Sequence, residues 1–179
     1  MVLLNFTITG GEVTPQIQML STATVLQMKQ RIEMILGVPI LRQTLKHRSM
    51  ELRNDETFEY YGLFGGTGAG MVAAGTSSAS SNANYDVQLT VAPLPGDPKF
   101  PILVVRSPNA ESHALPVNVR ETYTVADLRR KLERRMGIFG SELTLFRLYQ
   151  LMDQPFLPLS RYFVCAGCTI KVVVAIDGR

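Results

Sequence analysis

Two cysteines in the second half of the chain have the spacing of a redox or zinc-binding motif, Cys165-Ala166-Gly167-Cys168. A cysteine thiol becomes reactive when the start of a helix or a nearby cation lowers its pKa, but the residues from Thr169 onward are typical of a strand. A zinc site needs two more ligands, and the two histidines, His47 and His113, lie in different halves of the sequence. We therefore predict two incidental thiols, no metal site and no cofactor.

Side chains that perform acid–base or nucleophilic catalysis are not grouped in this sequence. No Ser-His-Asp set, Cys-His pair or pair of carboxylates stands out within one half. The glycine-rich segment 65–84 has the composition of a phosphate-binding loop, but no Lys-Ser or Lys-Thr follows it, and Met71 stands where a dinucleotide-binding motif needs its last glycine. We expect this segment to be a flexible loop, and the protein to be neither an enzyme nor a binder of small-molecule substrates.

The strongest signal is a pattern that occurs twice, one hundred residues apart, over residues 24–38 and 124–138. In each copy, apolar residues at positions i, i+3 and i+7 define one face of a helix. A threonine precedes each helix, and Gln27 or Asp127 follows it three residues later, as in a capping box. A glycine stands where each helix should end. Internal repetition of this kind predicts two domains of one architecture.

Short apolar or alternating segments flank each helix and are typical of strands. Two of them precede the first helix as a hairpin, further strands follow it, and the second half repeats this order. We predict an α+β fold in which each half is a mixed sheet curled around one main helix. The segment 93–99 is rich in proline and should be a semi-rigid linker between domains at 1–92 and 100–179.

Charge is divided unevenly between the halves. Residues 1–98 hold six basic and eight acidic side chains, a net charge of −2, whereas residues 99–179 hold twelve basic and seven acidic ones, a net charge of +5. Much of this excess lies in the segment 129–135 of the second helix. Because no aromatic residues interleave with these cations to stack on bases, we expect a solvated helix face, and nucleic-acid binding ranks below protein binding.

The sequence shows neither a membrane nor a secretory signal. No stretch approaches the roughly 20 apolar residues of a membrane span, and residues 1–4 lack the basic start and long apolar region of a signal peptide. Two cysteines provide no disulfide framework. We expect a soluble protein of the cytoplasm or nucleus that has no membrane partner.

A set of residues in and around the two helices occurs in a characteristic order and spacing. The set is Thr9-Gly10, Val25, Met28, Lys29, Ile32, Gly37-Val38-Pro39, Arg42-Gln43-Thr44-Leu45, Leu52 and residues 57–63 in the first half, and Val125, Leu128, Arg129, Leu132, Gly137-Ile138, Leu145 and Leu159-Ser160-Arg161-Tyr162 in the second. In both halves this pattern resembles ubiquitin. The resemblance implies a β-grasp fold for each half, and it gives Tyr61 and Tyr162 the role of a tyrosine that packs beneath a loop and hydrogen-bonds to the loop backbone. The tandem arrangement is similar to that of two-domain ubiquitin-like modifiers, which implies partners among proteins of the ubiquitin system.

An apolar patch on the sheet of ubiquitin binds most of its partners, and the resemblance places the centre of that patch on three residues of each half. The second-half residues are two apolar groups around one cation, a composition typical of a small binding hot spot. Alternatively, Phe146 points into the core. The first-half residues are polar and would disfavour an apolar partner. The matching positions are Phe146, Lys171 and Val173 in the second half and Lys46, Gln88 and Thr90 in the first.

The last residues bear on the choice between binding and covalent attachment. The resemblance implies that a conjugated member ends in two glycines, because its terminal carboxylate is activated in a channel too narrow for a side chain. This sequence ends Asp177-Gly178-Arg179, so conjugation would need removal of Arg179 and would fall on Gly178. We predict a non-enzymatic adaptor or decoy that binds proteins of the ubiquitin system. The alternative is a covalent modifier attached through Gly178.

Overall fold

The computed structural model describes residues 2–63, 84–107 and 114–175. They form two compact units, one mainly from residues up to Val91 and the other mainly from Ala92 onward. Within these ranges, no helix has the length and apolar character needed to cross a membrane. The predictions for loop residues 65–83, His113 and Gly178 lie outside the described residues.

The first unit is a five-stranded mixed sheet with one main helix. The sheet order is β2-β1-β5-β3-β4, in which β1 and β5 are parallel and the other neighbours are antiparallel. Asn84 pairs with Asn5 and is the first residue of the last strand. The prediction that the loop includes Asn84 is therefore wrong, because the backbone of Asn84 already belongs to the sheet. The elements are β1 Leu3–Thr9, β2 Gln16–Leu20, α1 Val25–Leu36, β3 Gln43–His47, β4 Met50–Glu51 and β5 Asn84–Val91, with a 3-10 turn at Ile40–Arg42.

The second unit repeats this topology. Its sheet order is β7-β6-β10-β8-β9, again with one parallel pair, β6 and β10. The predicted α+β architecture, with a mixed sheet around one main helix in each half, is confirmed, and the arrangement is that of the β-grasp fold. The elements are β6 Phe100–Ser107, β7 Leu115–Val119, α2 Val125–Met136, β8 Leu143–Arg147, β9 Gln150–Leu151 and β10 Thr169–Val174, with 3-10 turns at Gly140–Glu142 and Leu159–Tyr162.

Both helices begin with the predicted capping box. The Thr24 N–H donates to Gln27 Oε1 at 3.0 Å, and the Gln27 N–H donates to Thr24 Oγ1 at 3.3 Å. Thr124 and Asp127 exchange the same two bonds at 3.0 and 3.2 Å. The bond from the Thr124 backbone, and a second one from the Thr124 hydroxyl to the same carboxylate at 2.9 Å, lower the pKa of the Asp127 carboxyl. Local sequence therefore fixes where each helix starts.

The repeated apolar positions form the two cores. Each of these helix side chains is completely buried against its own sheet and contributes about 1.5–3 kcal/mol to folding. Gly37 and Gly137 follow the helices with φ of 74° and 65°, the left-handed conformation that ends a helix. The six side chains with no exposed surface are Val25, Met28 and Ile32 in α1 and Val125, Leu128 and Leu132 in α2.

The two predicted loop-supporting tyrosines are both found. The Arg53 N–H donates to the Tyr61 hydroxyl at 2.7 Å. Tyr162 is 1% exposed, and its hydroxyl is hydrogen-bonded by the backbone of Gln154. Burial raises the pKa of Tyr162, because the protein interior disfavours the phenolate.

Replacing Tyr162 with phenylalanine should therefore have a pH-dependent cost. We expect Tyr162→Phe to lower the free energy of unfolding by about 1–3 kcal/mol near pH 7, because the backbone of Gln154 loses its partner. The folded-state pKa lies above the unfolded value of about 10, so the tyrosine's contribution is present below that pH and is lost as pH rises through the folded pKa.

Urea unfolding of both proteins at pH 7 and at higher pH measures this difference. The gap between wild type and Tyr162→Phe should shrink as the pH rises above about 10. Tyr149→Phe is the matched control, since Tyr149 is 100% exposed and should leave stability unchanged. A gap that stays constant with pH would contradict the buried phenol.

The predicted linker is hydrogen-bonded to the second unit. The Leu94 N–H donates to the Glu121 carboxylate at 2.9 Å. The Asp97 carboxylate accepts from the Thr122 hydroxyl at 2.5 Å and lies 3.7 Å from the Arg120 guanidinium. These contacts, together with the prolines, favour a semi-rigid segment at this position.

Candidate protein-binding surface on the second sheet

Strands β8 and β10 alternate between the core and the outer face of the second sheet. Leu145 and Val172 are completely buried beneath the sheet. Their strand neighbours, Phe146 and Lys171, therefore point to the opposite face, where Phe146 is half-buried and Lys171 is exposed. Val173 lies on the same outer face and is half-buried. The structure thus brings the three second-half residues together and does not place Phe146 in the core.

A row of four side chains crosses this face, which we call the outer row. Phe146 and Lys171 are direct cross-strand partners on β8 and β10. On one side, Phe146 is opposite Leu151 of β9, and on the other, Lys171 is opposite Val105 of β6. In the antiparallel pairs of this row, directly opposite residues have Cβ atoms about 4.5–5.5 Å apart. The side chain of Lys171 therefore leaves the sheet between two apolar side chains.

Sequence reasoning missed several apolar residues of this surface. Leu103 is 38% exposed, Leu151 is 36% exposed, and Val105 completes the outer row. The unbroken apolar run 102–105 of β6 could have predicted them. Successive side chains of a strand point to opposite faces, so a run with no polar residue places apolar side chains on the outer face as well as in the core. Tyr149 is 100% exposed in the turn between β8 and β9, next to this row in the chain.

The matching row of the first sheet is polar throughout. Lys46 of β3 is opposite Gln88 of β5 and Glu51 of β4, and Gln88 is opposite Thr9 of β1. Thr90 lies further along β5, opposite Thr44. The first-half residues therefore occupy the predicted face, with no apolar neighbour in their own row.

The two cysteines occupy a turn before β10, as predicted. Both are buried, and the Cys168 N–H donates to the Cys165 carbonyl at 3.1 Å. Burial raises the pKa of the Cys168 thiol, which disfavours the reactive thiolate. Within the described ranges, no three His, Cys, Asp or Glu side chains come close enough to hold a metal ion.

The basic side chains of α2 form hydrogen bonds and an ion pair within the second unit. Three of its cations donate to backbone carbonyls, and a fourth pairs with a carboxylate. The contacts are Arg129 to the Met152 carbonyl at 3.2 Å, Lys131 to the Asn118 carbonyl at 2.6 Å, Arg135 to the Pro116 carbonyl at 3.3 Å and Arg130 to the Asp127 carboxylate at 3.4 Å. A phosphate backbone would have to compete with these contacts for the same donors.

Comparisons with known proteins agree with this fold. Residues 5–67 match the model of the ubiquitin family. Similar solved structures include Caldiarchaeum subterraneum ubiquitin, 16% identical with a TM-score of 0.42, covering 46% of this chain and 100% of that one. The ubiquitin-like domain of an Arabidopsis thaliana protein is 19% identical with a TM-score of 0.43, covering 48% of this chain and 87% of that one.

A search of curated proteins returned no match. The family match falls on the first unit and includes α1 and strands β3 and β4. The second unit has the same strand order and the same placement of its helix in the chain. The chain therefore contains two consecutive ubiquitin-like β-grasp domains, the first of which matches the ubiquitin family over residues 5–67.

Proposed function

We propose that this protein is a non-enzymatic adaptor or decoy that binds proteins of the ubiquitin system, in the cytoplasm or nucleus, through the outer face of its second sheet. The observation that supports this function is the outer row, in which Phe146 and Val105 flank Lys171 and Leu151 lies beyond Phe146. In layout the chain is similar to the interferon-induced two-domain ubiquitin-like modifier, with the two domains at 1–92 and 100–179.

The chemistry of the outer row defines the partner. Burying apolar surface stabilises a complex by roughly 25 cal/mol per Å² before the costs of association. Phe146 and Leu151 offer such surface. Lys171 leaves the sheet between apolar neighbours, so a partner that covers its ammonium group must supply a carboxylate or carbonyl to offset the desolvation. We therefore expect the partner surface to be apolar with one acidic group near its centre.

The difference between the two sheets supports binding through the second domain. A partner with an apolar surface would meet Lys46, Gln88 and Glu51 on the first sheet and would have to desolvate them without gaining apolar contact. The engaged cations of α2 favour protein binding over nucleic-acid binding. Both observations support the proposal that a protein partner binds the outer row.

Incubation of the full chain, and of a variant without Arg179 that ends at Gly178, with ATP and a cognate ubiquitin-type activating enzyme tests the adaptor function against covalent attachment. An adaptor forms no thioester, so a non-reducing gel should show no enzyme-linked band, while ubiquitin in a parallel reaction shows one. An enzyme-linked band that a thiol reductant removes, and that Gly178→Ala abolishes, would overturn the adaptor proposal in favour of the modifier.

A further inference from the structure

The first domain leaves one edge of its sheet open beside α1. Strand β2 is the edge strand and carries no charged residue over Gln16–Leu20. The Ser21 N–H bonds to the Val2 carbonyl at 2.8 Å, and by the alternation of an antiparallel ladder, the N–H and C=O groups of Gln18 point away from β1. Charged side chains or prolines usually blunt such edges.

A groove with a cavity of about 400 Å³ lies between this edge and α1. Its strand wall includes Leu20, which is 40% exposed. Its helix wall includes Gln27, Arg31 and Met34, a spacing that places them on one helical stripe, and Met34 is 82% exposed. Among the residues that the structure describes, Arg31 is the one charged residue that lines the groove. The groove thus offers apolar surface, open backbone hydrogen-bonding groups and a single cation.

The second domain closes the corresponding edge. Asn118 of β7 occupies the repeat position of Gln18, and its carbonyl accepts from Lys131 at 2.6 Å. The next outward carbonyl, that of Pro116, accepts from Arg135 at 3.3 Å. Pro116 also lacks the N–H that an added strand needs. In the first domain the residue at the repeat position of Lys131 is Arg31, which lines the groove, so the open edge is a specific property of that domain.

We propose that the β2 edge and this groove form a second binding site, which takes an extended segment of a partner protein as an added strand. The segment places an apolar side chain in the groove and an aspartate or glutamate opposite Arg31. Backbone pairing supplies affinity in such strand addition, and the groove supplies selectivity. The site is separate from the outer row of the second domain and does not depend on it.

A second copy of this chain fits the groove less well than a peptide. Two β2 strands could pair edge to edge, but the groove would stay empty. The side chains of β2 on the helix side, Ile17 and Met19, are 3% and 7% exposed and are committed to their own core. A partner segment with free side chains on both faces can fill the groove and also pair with the strand.

Selection of peptides by the full chain tests the proposal. A display library of random ten-residue peptides is selected on the full-length protein, and individual peptides are then measured by fluorescence polarisation. We expect the selected peptides to share apolar residues at alternate positions with a flanking acidic residue. Gln16→Pro introduces the proline that the second domain has at the same repeat position, Pro116, and removes an outward N–H of β2. This variant should weaken the affinity of the selected peptides by about tenfold or more.

Arg31→Glu is the second variant, and it should weaken the same peptides by about tenfold through charge repulsion. Arg134→Glu, the same charge change on exposed α2, should leave peptide binding unchanged. Thermal melting checks that each variant is folded. Selected peptides that bind wild type, Gln16→Pro and Arg31→Glu equally would overturn the proposal, and so would a concentration-dependent dimer that Gln16→Pro abolishes.

Discussion

Phe146→Ala is expected to weaken binding of a ubiquitin-system partner by about thirtyfold, or about 2 kcal/mol, with little change in melting temperature. Phe146 is half-buried on the outer face and lies between Lys171 and Leu151 in the outer row. A partner that covers this row removes the remaining ring surface from water. The folded protein alone keeps the ring partly exposed, so its truncation leaves no large internal cavity.

Isothermal titration calorimetry with a purified ubiquitin-binding domain, together with thermal melting, measures both quantities. Leu145→Ala is the matched core control, because Leu145 has no exposed surface and its truncation should cost about 2–5 kcal/mol of stability. Early melting of Phe146→Ala would show that the ring supports the core. A folded Phe146→Ala protein with undiminished affinity would remove Phe146 from the binding surface.

Charge reversal at the centre of the outer row should have the largest effect on binding. Lys171 is exposed between Phe146 and Val105, and a partner that covers it should place an acidic group on the ammonium. In Lys171→Glu the acidic group of the partner lies against the new glutamate carboxylate, and the two negative charges repel each other in a contact from which water is excluded. We expect a loss of about 2–5 kcal/mol in binding free energy, equivalent to roughly thirtyfold or more in affinity.

Lys46→Glu is the matched control for Lys171→Glu. Lys46 lies on the outer face of the first sheet opposite Gln88, in a row that we do not expect the partner to contact. Its charge reversal should change affinity by less than about twofold, or about 0.4 kcal/mol. Calorimetry of both variants with the same binding domain makes the comparison. Equal losses from Lys46→Glu and Lys171→Glu would show that the partner responds to net charge and not to the outer row.

Local sequence was sufficient to predict the helices and much of the architecture. The capping boxes at Thr24 and Thr124 depend on residues three positions apart, so the sequence contains their full specification. The two tyrosine contacts were implied by the ubiquitin resemblance. The position of Asn84 was predicted wrongly because a strand end next to a polar loop has no local signal.

The binding surface was only partly predictable, because strand pairing is not local. Residues 143–146 of β8 include two leucines and a phenylalanine, so alternation alone left the direction of Phe146 open. Val105 and Lys171 are 66 residues apart in the chain, and only their register in the sheet makes them neighbours. The open edge beside Arg31 was missed for the same reason, since the contrast with the second domain depends on the contact between Lys131 and the Asn118 carbonyl.

Nuclear magnetic resonance mapping of a bound partner tests the central claim most directly. The full-length protein, labelled with ¹⁵N, is titrated with an unlabelled ubiquitin-binding domain, and the shift of each backbone amide is followed. The outer row predicts that the largest changes cluster on β6, β8 and β10 around Val105, Phe146 and Lys171. Changes concentrated on the first sheet around Lys46 and Gln88, or along the basic face of α2, would contradict binding through the second sheet.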